Sequence, residues 1–177
     1  MVMEGMSKIM KRIARFEKVS QKQFILGWMD SFNTGIGIYD AFEKVKLPKR
    51  ATSGSAGYDF YALKDVELAP GESVKMATGV RVQIEEGWVL KIYPRSGLGF
   101  KYRMQLANTV GIIDSDYYYS DNEGHIFIKI TNDSHEGKTL TIREGDAFAQ
   151  GVFLEYGITV DDDVTEVRNG GFGSTGR

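Results

Sequence analysis

Residues 80–92 read VRVQIEEGWVLKI. Val80, Val82 and Ile84 alternate with polar residues, Glu85-Glu86-Gly87 breaks the pattern, and Trp88, Leu90 and Ile92 alternate again. A side-chain period of two lines one face of an extended chain, so this stretch predicts two half-buried strands joined by a tight turn. The pattern recurs outward from here. Ile126, Ile128 and Ile130 alternate, then Leu140 and Ile142, with turn residues at Pro70-Gly71, Asp133 to Gly137 and Glu144-Gly145. Short strands at a spacing of roughly 8–12 residues predict an all-β sandwich or barrel.

The chain ahead of Leu47 has another texture. Residues 1–10 are rich in Met and read as a disordered leader. Lys8, Lys11, Arg12 and Arg15 interleave with Ile9, Ile13 and Phe16, but Glu17 and a strand-like continuation argue against a targeting helix. Lys11 to Val19 reads as a strand. Ser20 is placed to cap a helix, with Gln23 three residues on completing a capping box. Phe24, Trp28 and Phe32 then share one helical face. A second short helix is expected from Ile38 to Val45, with Tyr39, Phe42 and Lys46 at helical spacing, and Pro48 ends it. Residues 11–46 thus form a strand plus a helical extension, 47–167 the β domain, and 168–177 a Gly-rich arm.

Composition narrows the function. The 177 residues suit one domain, and a hydrophobic share of 42% is enough for a core. A net charge of −2 without a basic stripe argues against a nucleic-acid or membrane binder. No Cys is present, so there is no disulfide framework and no thiolate metal site, which suits a cytoplasmic location. His125 and His135 make no zinc pattern. No apolar run reaches the roughly 18 residues of a membrane span.

Five stretches carry candidate chemistry. In Asn108 to Tyr117, NTVGIIDSDY, Asp114 and Asp116 stand at spacing two after an apolar run. Asp disfavours strand interiors, so Asp114 is expected where a strand runs out, rigidly supported and open to a cleft. A carboxylate there can take a proton from water, or it is a solvated turn. In GSAGYDFYA, Gly54 to Ala62, Asp59 lies between Tyr58 and Phe60 and needs partners if buried. It is either a structural hydrogen-bonding acid or a holder of metal-bound water. In PRSGLGFK, Pro94 to Lys101, Arg95 offers a fork for phosphate, and Ser96 and Gly97 offer a hydroxyl and open backbone N–H groups in a loop. In EGDAFAQGVF, Glu144 to Phe153, Gln150 is satisfied by backbone or aimed at a ligand. In the arm, RNGGFGSTGR, Phe172 is a flat ring between glycines on which a base can stack, beside Arg168, Ser174 and Thr175.

Taken in order, AGYD, PRSG, GIIDSDY, GD…AQ and GGFGSTG resemble the five motifs of the trimeric dUTP pyrophosphatase (dUTPase) family, over Leu47 to the C-terminus. The resemblance implies a jelly-roll-like β fold, a homotrimer with sites at subunit interfaces, and hydrolysis of dUTP to dUMP and pyrophosphate with Mg²⁺. It implies that Asp114 activates the attacking water. Asn108 and the backbone of Gly111, Ile112 and Ile113 would read the uracil edge, and Tyr117 would pack on the deoxyribose and exclude a 2′-hydroxyl. Arg95, Ser96, Gly97 and Gln150 would hold phosphates. Phe172 would stack on uracil while Arg168, Gly173, Ser174 and Thr175 close over the triphosphate. Asp59 would support the metal's water shell.

The chain also departs from that pattern. Where the family often turns through Arg-Gly after Tyr117, this chain inserts Tyr118 to Gly124, and Ala147 replaces a residue that is often basic. Residues from about Ser20 to Val45 are an added helical segment. Two other readings compete: dCTP deaminase, which resembles the family in fold but uses an Arg-Ser-Ser pattern and a Glu base, and a nucleotide-responsive binding module using the added helices as its partner surface.

Overall fold

The alternating segments become antiparallel strands. The computed structural model describes residues 10–168. In chain order, β1 (Ala14–Lys18) leads into α1 (Gln21–Phe32) and α2 (Ile38–Glu43). Next come β2 (Lys49–Arg50), β3 (Tyr58–Tyr61), β4 (Val66–Leu68), β5 (Ser73–Ala77), β6 (Val80–Ile84) and β7 (Trp88–Pro94). After α3 (Ser96–Tyr102) come β8 (Met104–Leu106) and β9 (Gly111–Ile113), then a 3₁₀ turn over Ser115–Tyr119. The last strands are β10 (Phe127–Asn132), β11 (Leu140–Ile142) and β12 (Ala147–Glu155).

A five-stranded sheet of order β2-β3-β12-β7-β9 faces a three-stranded sheet β5-β10-β8, with β1-β6 and β4-β11 pairs completing a jelly-roll-like all-β fold. Burial alternates along β6 and β10 as the side-chain period requires. Phe60, Leu90, Ile92 and Phe148 from one sheet meet Met76, Met104, Ile128 and Ile130 from the other in one core.

The N-terminal segment belongs to that core. β1 pairs with β6, and Phe24 and Trp28 of α1 are 0% and 2% exposed within the same cluster. Ser20 caps α1 by accepting from the Gln23 amide at 3.1 Å. The expected capping box is not closed by Gln23. The Glu123 carboxylate takes the Ser20 amide instead, at 2.7 Å, and the Ser20 hydroxyl at 2.6 Å. α2 is partly rotated from the expected face: Phe42 packs against Phe24 with ring centres 5.2 Å apart, but Tyr39 is exposed while Ile38 and Ala41 are buried, and the helix stops at Glu43. A helix this short has one buried stripe, and the aliphatic pair takes it because the tyrosine hydroxyl keeps its water. PRSGLGFK, expected as a loop, forms α3, capped by Arg103 in the left-handed region at φ 51°. Among the described residues no helix is long and apolar enough to cross a membrane.

Candidate active site

Asp114 leaves β9 in an extended conformation and starts the 3₁₀ turn, with its side chain 46% exposed. Asp116 lies within that turn rather than on a strand. The two carboxylates nonetheless converge on one cation. Arg168 donates from Nη2 to Asp114 Oδ2 at 2.5 Å and from Nε to Asp116 Oδ1 at 2.9 Å. Its guanidinium lies 5.9 Å from the centre of the Tyr117 ring. Tyr117 is buried, and its hydroxyl donates to the His125 carbonyl and accepts from Asn122 Nδ2, each at 2.8 Å. Burial pushes the phenol's pKa up, against the opposing pull of Asn122 and Arg168.

A second group forms where β3, β12 and β7 lie side by side. Asp59 is in register with Gln150, and Ala149 with Pro94. Asp59 is 8% exposed and its Oδ1 accepts from Arg95 Nη1 at 2.5 Å. Gln150 donates from Nε2 to the Pro94 carbonyl at 3.2 Å. A Cβ on Gly57 would lie 2.5 Å from Gln150 Oε1, so only glycine lets that amide oxygen lie there. Ser96 and Gly97 are exposed at the start of α3. Arg95, Ser96, Gly97, Gln150 and Asp59 are therefore neighbours in one chain.

Asn108 sits in an exposed turn between β8 and β9, its carbonyl accepting from the Val110 amide at 2.7 Å. Gly111, Ile112 and Ile113 form β9, one of the two edge strands of the five-stranded sheet among the described residues. An edge strand keeps one row of N–H and C=O groups outside the sheet ladder. Ile112 turns its side chain outward and is 46% exposed, while Gly111 and Ile113 are buried.

The register separates the two groups. Ile113 pairs with Leu90 and Gly111 with Ile92, so Asp114 emerges near Val89, whereas Arg95 follows the other end of β7. From Val89 to Arg95 the rise is about 20 Å at roughly 3.3 Å per residue. One chain does not bring Asp114 to Arg95. Phe172, Gly173, Ser174 and Thr175 lie outside the described residues.

The donor set limits how a cation could be held. Among the described residues no group of three or more His, Cys, Asp or Glu is arranged to hold a metal ion. Asp59 commits one oxygen to Arg95, and Asp114 and Asp116 each commit one to Arg168. These residues fit Mg²⁺ only as a hard ion ligated chiefly by phosphate oxygens and water.

The family model for dUTPase matches residues 43–176. The chain belongs to the dUTPase family. It is 42% identical over 135 residues to the deoxyuridine 5'-triphosphate nucleotidohydrolase of Lactococcus lactis, covering 75% of this chain and 89% of that one. It is 41% identical over 139 residues to the Shigella sonnei protein of the same name, covering 74% and 87%. The crystal structure of dUTPase from Streptococcus mutans superposes with a TM-score of 0.60 at 31% identity, over 83% of this chain and 98% of that one.

For a dUTPase, the residues that sequence reasoning passed over are those behind Tyr117. His125 is fully buried; its Nε2 accepts the Gly79 amide at 2.9 Å, and burial lowers its pKa to about 4, against a weaker upward pull from Glu123. Its signal was a His running straight into Ile126-Phe127-Ile128, where only a neutral imidazole fits. The inserted loop is fastened at both ends. Tyr118 donates to Glu17 at 2.7 Å under the Arg81 guanidinium, and Glu123 caps Ser20. Burial opposes ionisation of Glu123, yet the two Ser20 bonds carry its pKa below the ordinary value.

Proposed function

We propose that this chain hydrolyses dUTP to dUMP and pyrophosphate, with a water activated by Asp114. The observation that carries the reading is the Asp114 carboxylate, half exposed at the end of an edge strand and paired with the Arg168 guanidinium. Water attacks the α-phosphorus, the anhydride bond to the β-phosphate breaks, pyrophosphate leaves, and Asp114 takes the proton of the attacking water. Cleaving a phosphoanhydride needs positioning and charge neutralisation more than covalent help. Arg95, Ser96, Gly97 and Gln150 supply that at the phosphates. Asn108 and the outward backbone of Gly111 to Ile113 read the uracil edge, and Tyr117 lies against the deoxyribose. Arg168, Phe172, Gly173, Ser174 and Thr175 close the site. Mg²⁺, when bound, would supply further neutralisation of the triphosphate. Asp59, beside Arg95, would hold part of its water shell.

The distance of about 20 Å along β7 between Asp114 and the phosphate group supports a site shared between copies. The assembly is a homotrimer with three sites at its seams. Working in the cytoplasm, it removes dUTP before a polymerase can use it and supplies dUMP for thymidylate synthesis. The test is pyrophosphate release from dUTP, dTTP, dCTP and UTP with Mg²⁺, beside the mass of the particle in solution. Release from dUTP is expected to exceed release from each of the other three by a wide margin. Ammonia release from dCTP, or an unreactive dUTP, overturns the reading.

A further inference from the structure

A steric wall rejects a substrate bearing one extra hydroxyl only weakly if the wall can yield. In the proposed function Tyr117 is such a wall, set against the 2′ position of the sugar. Its stiffness depends on what holds the far end of the ring. The Tyr117 hydroxyl donates to the His125 carbonyl and accepts from Asn122 Nδ2, so two bonds fix it from different directions. Asn122 is itself held: its Oδ1 accepts from the Gly124 amide at 3.1 Å, and its carbonyl accepts from the His125 amide at 3.0 Å.

The loop carrying Asn122 is anchored outside the site. Glu123 binds both the amide and the hydroxyl of Ser20, and Tyr118 binds Glu17, which also pairs with Arg81 at 3.1 Å. Glu123 adopts φ 57° and Gly124 φ 70° to bring this about. A non-glycine residue in the left-handed region is held there by its surroundings, here by the bonds to Ser20. A Cβ on Gly124 would stand 2.8 Å from the Tyr117 carbonyl oxygen, so the turn closes tightly under the tyrosine.

We propose that Asn122 is a positioning residue: acting through the Tyr117 hydroxyl, it sets the discrimination between deoxyribo- and ribonucleoside triphosphates. The inference rests on the reading that Tyr117 meets the sugar. Its source is the inserted loop, buttressed by the N-terminal segment, which thereby takes part in substrate choice without touching substrate.

The experiment compares kcat/KM for dUTP and UTP on the same preparation, so any loss of folded protein cancels in the ratio. Asn122→Ala is expected to lower the dUTP preference by roughly three- to tenfold, the effect of one buried hydrogen bond. Tyr117→Phe is expected to do the same, and the double variant to fall no further than the worse single one, because both remove the same bond. Tyr117→Ala serves as the control and is expected to abolish most of the preference. If Tyr117→Ala collapses the preference but Asn122→Ala leaves it intact, the role of Asn122 is overturned and the reading of Tyr117 survives. Additive losses in the double variant also overturn it, since Asn122 would then act elsewhere. If Tyr117→Ala itself leaves the preference unchanged, the reading of Tyr117 fails and the proposal falls with it.

Discussion

The Arg168 guanidinium sits on the Asp114 carboxylate, with Nη2 at 2.5 Å from Oδ2. The proposed base and Arg168 are therefore coupled before any phosphate is considered. A triphosphate carries more charge than the two carboxylates and competes with them for the guanidinium. In the proposed reaction, Arg168 moving to phosphate would leave Asp114 free to take a proton.

Asp114→Asn keeps the shape of the side chain and removes its basicity. Turnover is expected to fall by about a hundredfold or more, the usual worth of a positioned base. Affinity for a nonhydrolysable dUTP analogue should change little. Single-turnover kinetics and calorimetry measure the two separately, and unchanged turnover removes Asp114 from the role of base.

Deleting residues after Val167 removes Arg168 together with the segment proposed to close the site. Val160, Val164 and Val167, the apolar side chains just before the cut, are all exposed, so the described residues leading into it do not enter the core. The truncated chain is expected to keep its circular dichroism spectrum and its assembly mass while losing most activity. A fully active truncation refutes a closing arm.

What the sequence disclosed depends on the range of the interaction. Half-buried sheets impose a period of two locally, so β6, β7 and β10 were legible from Val80, Leu90 and Ile128 and their neighbours. The rotation of α2 and the helical state of Ser96 to Tyr102 were not, because elements of six or seven residues take their conformation from what they pack against. The motifs named the site residues through resemblance. Their distribution to opposite ends of β7 came only with the register. Glu123 closing the cap at Ser20 joins residues 103 positions apart, which no local pattern announces.

Gly27 sets two effects against each other. Alanine in place of a mid-helix glycine gains about 1 kcal/mol of helix propensity. Here the new Cβ would stand 2.5 Å from His125 Cε1 and 2.9 Å from Phe127 Cζ. The imidazole is tied to the Gly79 amide and cannot swing away, so overpacking costs about 1–3 kcal/mol and outweighs the gain. Gly27→Ala is expected to lower Tm, and a raised Tm would show that the ring can move.

His125 gives the fold an acid limit of its own. Its ring lies 4.3 Å from Phe127 and 6.5 Å from Phe24, centre to centre, and its Nε2 accepts a hydrogen bond from the Gly79 amide. Protonating Nε2 would set two hydrogens against each other at a fully buried ring. Burial accordingly holds the folded-state pKa at about 4, with Glu123 pulling weakly upward. The unfolded chain takes up this proton near pH 6.5, so between the two values the unfolded state binds more protons and stability rises with pH. The contribution is complete above about pH 6.5 and is lost on acidification toward pH 4, amounting to about 3 kcal/mol over the whole window. About half of that, on the order of 1.5 kcal/mol, is expected between pH 6.5 and 5, above the range where ordinary carboxylates titrate. Urea midpoints across that interval measure it. His125→Gln retains an acceptor for Gly79 and does not titrate, so its midpoint should be nearly flat there. If the parent and His125→Gln fall in parallel, another group is responsible.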